Sequence, residues 1–131
     1  MSSSKKLVLL RQILAVKVAF TILVWGLPSL LAPMALLHIL GVPAPDDPLF
    51  VRLFGAVVTS FGAAYWYAYK DPVKNVAIVK AGVLDNALVT LTILVFTLVY
   101  DLRSIFMWIS ALLVFVFFLS FVILMPRTEA A

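Results

Sequence analysis

The chain has 131 residues, of which 65% are hydrophobic and 12% charged, and its mean hydropathy is +1.17. Soluble domains are about half apolar and about a quarter charged, and a core built from so short a chain is too small to hide the excess, so a bilayer must solvate it. The absence of cysteine excludes disulfides, thiolate metal sites and cysteine nucleophiles, one histidine leaves little for a metal cluster, and the net charge of +4 comes from basic residues scattered at helix ends, so nucleic acid is not an expected partner.

The N-terminal MSSSKK has the look of a signal's basic region, but the apolar run behind it continues past a signal's usual length without a clear small-residue cleavage site, so a retained first helix is expected. Its membrane span is placed at about residues 15–40, and KKLVLLRQILAVK before it begins in the interface, with Lys6 and Lys17 on one helical face and their stems snorkelling toward headgroups. Pro28 and Pro33 each remove a backbone donor and crowd the preceding turn, so they kink this helix, either as a bend that shapes the assembly or as a transport hinge. The connection GVPAPDDP, with three prolines and two aspartates, is expected to be a stiff solvated loop.

Three further spans follow at about residues 50–69, 76–100 and 105–125, joined by the short turns KDPVKN and YDLRS. Connections this short make neighbouring helices antiparallel, so the expected fold is an all-α integral membrane protein, a single antiparallel four-helix domain over residues 1–131. Lys5, Lys6, Arg11, Lys17, Lys70, Lys74, Lys80 and Arg127 fall on one side against Arg52 and Arg103 on the other, which by the positive-inside rule puts both termini in the cytoplasm.

On a helical wheel the second span gathers Arg52, Gly55, Ala56, Thr59, Ser60, Gly62, Ala63, Trp66 and Tyr67 on one side, with Leu53, Phe54, Val57, Val58, Phe61 and Tyr65 opposite. Small residues mark helix contacts in lipid, so the first face is expected to pack on the face of the third span carrying Ala81, Gly82 and Asp85. The fourth span, apolar all round except for two serines, is expected to be the most lipid-exposed element or a surface for another subunit. Within the aromatic run YWYAY, an interfacial belt is the plain reading; alternatively Trp66 and Tyr67 line a cavity while Tyr65 anchors to lipid.

Asp85, about 13 Å into the third helix, is the residue that asks for an explanation, because an unpaired charge at that depth costs several kcal/mol. Lys17 could pair with it, and Asn86, Ser60 or Tyr67 could donate hydrogen bonds. The cluster reads either as a polar clamp between helices or as a carboxyl that handles a proton or a ligand, with contact to a partner subunit as a third use. Arg52 and His38 are expected at the outer interface, Arg52 reaching Asp46, Asp47 or lipid phosphate, and His38 as a boundary residue or a cofactor ligand. No serine, histidine and acid stand in a hydrolytic order and no phosphate-binding glycine loop exists, so no catalytic residue, metal site or cofactor is assigned.

The stretches LVWGLPSLLAP, LGVPAPDDPLFVRLFGA and GAAYWYAYKDP resemble small bacterial inner-membrane proteins with four helices, similar to the DoxX-like group. The resemblance covers the first half of the chain and implies a four-helix bundle in a bacterial inner membrane, with no catalytic residues to carry over. The leading functional expectation is an accessory or interaction subunit of a membrane complex, with membrane lipids and other subunits, or a second copy of the chain, as partners. Behind it stand binding or transport of a small hydrophobic molecule or lipid, proton-linked through Asp85, and then a membrane enzyme acting on an apolar substrate.

Overall fold

A computed structural model describes residues 2–42 and 46–126; Pro43 and Pro45 of the expected stiff loop, and Arg127 of the charge pattern, lie outside them. Among the described residues all regular structure is helical, and four helices are long and apolar enough to cross a membrane, which makes the chain a multi-pass membrane protein.

The first of them is α1, Ser3–Phe20, continued by a π-helical turn, Thr21–Gly26, and by α2, Leu27–Leu31. It starts at Ser3, well before the expected residue 15, capped by the Ser2 hydroxyl accepting from the Lys5 N–H. Pro28 does not break it. Proline has no N–H and its ring crowds the carbonyl four residues back, and the π-turn takes up the misfit by shifting the register, so that the Leu27 N–H reaches the Ile22 carbonyl. The break falls at Pro33, which confines Ala32 to an extended backbone with ψ of 145°. A short helix, α3 (Met34–Ile39), follows and ends on Gly41, whose φ of +70° suits the left-handed capping position.

The other three spans are α4 (Leu49–Lys70), α5 (Val76–Val99) and α6 (Ile105–Leu124), each within a residue or so of its expected bounds. The turn between α4 and α5 is closed by Asp71 Oδ1 accepting from the Lys74 N–H and by the Asn75 amide donating to the Tyr67 and Asp71 carbonyls. Between α5 and α6, Asp101 takes a positive φ of 52°, a conformation its short polar side chain tolerates.

Packing departs from the expectation drawn from the wheel. The glycine face of α4 meets the first helix, not α5: a Cβ at Gly55 would strike the Leu30 and Ser29 backbone, one at Gly62 would strike Ile22, and one at Gly26 would lie 2.6 Å from Thr59 Oγ1. The extensive contacts are α5 with α6, and α4 with the first helix and its α2 continuation, while α4 and α5 touch little. Helix α6 also packs on α1, and 33% of its most apolar stretch is buried, more than in any other span, while a flank that includes Ile105, Leu112 and Ile123 stays exposed, so it is a packed element with one free side and not the most lipid-exposed of the four. A helix apolar all round is suited to contact on several sides, and composition alone does not distinguish that from lipid exposure.

The close-packed core lies toward one end, where Leu10, Leu14, Tyr65, Ala68, Val79, Phe121 and Leu124 are buried together. Beyond Tyr65, α4 and α5 separate and leave a hollow between them.

Candidate functional site

Lys17 stands 14 residues into α1, about 21 Å along the axis. It is 97% buried, so it does not snorkel toward headgroups as expected, and an ammonium there needs partners. Its Nζ donates to Asn86 Oδ1 at 2.6 Å and lies 4.0 Å from Asp85 Oδ2. Three rings surround the same nitrogen, with centroids at 4.9 Å for Phe117, 5.3 Å for Tyr65 and 5.5 Å for Trp25, so cation–π attraction adds to the pairing.

Asn86 is fully buried and also donates from Nδ2 to the Gly82 carbonyl at 2.6 Å, which fixes the orientation of its amide toward Lys17. Tyr65, fully buried as well, reaches across from α4 and donates its hydroxyl to Asp85 Oδ2 at 3.1 Å. Gly82 makes room for this crossing, since a Cβ there would lie 2.9 Å from the Tyr65 hydroxyl and 2.8 Å from the Phe121 ring. Three helices are thereby tied at one level by Lys17, Tyr65, Asp85 and Asn86.

That polar level is the floor of a cavity of about 580 Å³. Above Lys17 and Asp85 its walls are mainly apolar, with Val58 and Phe61 on α4 facing Val89 and Ile93 on α5. The first helix contributes Lys17, Thr21, Trp25 and Ser29, four residues spaced by four and so stacked on one face. Trp25 donates from Nε1 to Ser110 Oγ at 2.9 Å, holding the indole against α6. Thr21 carries a buried hydroxyl that has no hydrogen-bond partner among the described residues. The π-turn widens the helix here, where Thr21, Val24 and Trp25 meet the cavity.

Asp85, Asn86 and Lys17 are thus brought together. Ser60, Trp66 and Tyr67 are not: Ser60 is exposed and donates to the Ala56 carbonyl, Tyr67 is exposed, and Trp66 stacks on Tyr69 with the Lys70 ammonium 5.5 Å from its ring. Arg52 reaches neither Asp46 nor Asp47. It donates to the Ser29 carbonyl at 2.9 Å and the Ala32 carbonyl at 2.7 Å, satisfying acceptors that the end of α2 leaves open. His38 is exposed on α3, and no group of three histidine, aspartate or glutamate residues that could hold a metal occurs among the described residues.

The residues that sequence reasoning missed are Tyr65, Trp25, Thr21 and Ser110. A usable signal existed for two of them, because Thr21 and Trp25 follow Lys17 at intervals of four on one helical face. Tyr65 lies only 60° from Gly62 on an ideal wheel, which is too close for two opposing faces.

No family model matches the chain, and neither a curated protein nor a solved structure matches it.

Proposed function

We propose that this protein binds a small amphipathic molecule within the membrane, admitting it between α4 and α5. The cavity carries this reading: about 580 Å³ lies within the range of small-molecule sites, and an apolar chamber with a few convergent polar groups at one end is how such sites fix a ligand's orientation. The accessory-subunit expectation drew in part on a featureless fourth helix, and one side of α6 is engaged by α1 and α5. The reading stands on the cavity and not on the DoxX-like resemblance.

The finer placement belongs to the same proposal: an antiparallel bundle in a bacterial inner membrane with both termini cytoplasmic, supported by the basic residues gathered near the N-terminus and the α4–α5 turn. In that orientation the Lys17–Asp85 floor lies toward the cytoplasm and the chamber extends toward the outer surface.

Purification into lipid nanodiscs, followed by solvent extraction and mass spectrometry, tests the reading. The wild type is expected to carry a compound enriched over bulk lipid, and Val58→Trp, which fills the chamber from α4, to lose it. A wild-type profile identical to that of the surrounding lipid would overturn the proposal.

A further inference from the structure

The proposed binding leaves open which head group the floor selects, and this inference rests on that reading. Among the described residues Lys17 and Asp85 are the only charged side chains lining the cavity, and they differ in access: the Lys17 side chain is 3% exposed, that of Asp85 33%. An entering molecule meets the carboxylate first.

Asp85 Oδ2 is occupied, accepting from the Tyr65 hydroxyl and lying next to the Lys17 ammonium. Among the described residues no donor reaches Oδ1. A carboxylate has about four acceptor positions over its two oxygens, so Asp85 holds acceptor capacity facing the chamber and calls for a donor. Thr21, one turn above Lys17 on the same wall, has its own unpartnered hydroxyl, a second buried polar group suited to an incoming one.

Charge narrows the class. Lys17 offsets Asp85, so the floor as a whole is neutral. A carboxylate head would face Asp85 before any donor of Lys17, whereas an ammonium head would be attracted by Asp85 at contact and repelled less by Lys17 behind it. Because Lys17 already neutralises Asp85, an ammonium would leave a net charge in a mainly apolar chamber, a desolvation cost that a neutral hydroxyl donor does not meet. Along α5 the wall from Asp85 to Phe96 runs about 16 Å, which suits an extended apolar chain.

We propose that the site selects a neutral long-chain alcohol, its hydroxyl donating to Asp85 Oδ1 and its chain lying between α4 and α5. The test is photo-crosslinking of the protein in nanodiscs with three diazirine probes of equal chain length, ending in a hydroxyl, a carboxylate or an ammonium, each competed by excess unlabelled 1-hexadecanol. The alcohol probe is expected to label the Asp85–Phe96 wall of α5 saturably and at least tenfold more than the other two. Asp85→Asn, which keeps the shape but replaces a charged acceptor by a neutral one, is expected to lower that labelling about tenfold. Equal or stronger saturable labelling by the carboxylate or ammonium probe overturns the head-group assignment and leaves binding itself in place. Unchanged alcohol selectivity in Asp85→Asn overturns the role of Asp85, and absence of saturable labelling by all three probes overturns both the assignment and the binding site. The wild-type comparison among probes stands even if the variant does not fold.

Discussion

The two ends of the α4–α5 seam are built from similar residues and do opposite things. Around Leu14, Tyr65, Val79 and Phe121 the helices close over one another, with Tyr65 crossing from α4 to Asp85 and its ring centroid 5.9 Å from that of Phe121. Beyond that crossing Phe61, Val58, Val89 and Ile93 line open space. Hydrophobicity does not distinguish the two regions, since lipid is as apolar as leucine and burying oil drives no helix association in a membrane. What differs is complementarity of shape: Gly82 lets Tyr65 and Phe121 come close at the closed end, and no glycine brings α4 and α5 together further along.

The sharpest way to break this comparison is to truncate one phenylalanine from each region. Phe121→Ala is expected to cost about 4 kcal/mol, because neighbouring side chains refill such a void only in part, whereas Phe96→Ala, half-exposed at the cavity wall, is expected to cost less than about 1 kcal/mol. Reversible unfolding in mixed micelles measures both, and equal costs would erase the distinction between closed and open regions.

Gly55→Leu probes the packing that leaves the seam open. Its side chain would meet the Leu30 and Ser29 backbone, which has no rotamer to change, so a loss of about 3 kcal/mol is expected. A near-neutral result in the same assay would mean that α4 is not held against the first helix as described.

The smallest of the three effects sharpens the boundary between the regions. Lys17→Met strips Asn86 and Asp85 of their shared cation, at an expected cost of about 2 kcal/mol, below the 3–5 kcal/mol typical of a fully buried pair because Asp85 faces the cavity. Adding Asp85→Asn should recover part of that loss, since the unpaired charge is then gone. Strict additivity of the two substitutions would show that the residues do not act as a pair.

Much of the helical framework was legible. The bounds of α4, α5 and α6 follow from apolar runs ended by KDP, YDLRS and a terminal proline, signals that act locally. The first helix was harder to read. Lys5, Lys6, Arg11 and Lys17 push a composition-based boundary inward, yet Lys17 is accommodated inside by Asn86, Asp85 and three aromatic rings, partners that lie far away in sequence. Of the candidate site, the pairing of Lys17 with Asp85 was legible because a deep charge requires a counterpart, whereas Asn86, expected to donate to Asp85, accepts from Lys17 and donates to the Gly82 carbonyl. The choice of Tyr65 over Tyr67 was legible only in part: the wheel sets Tyr65 closer to Gly62, but the neighbour it reaches depends on what α4 packs against.

The sequence by itself determined that this chain forms four apolar helices long enough to cross a bilayer, and that Asp85 needs company, because length, hydropathy and the cost of a buried charge are properties of single segments. The tertiary structure alone decided that α4 turns its glycines to the first helix, that α6 packs on both α5 and α1, and that a chamber opens above Lys17 and Asp85. Those outcomes depend on close fit between distant surfaces, and in an apolar solvent the fit of surfaces, not their hydrophobicity, selects which helices meet.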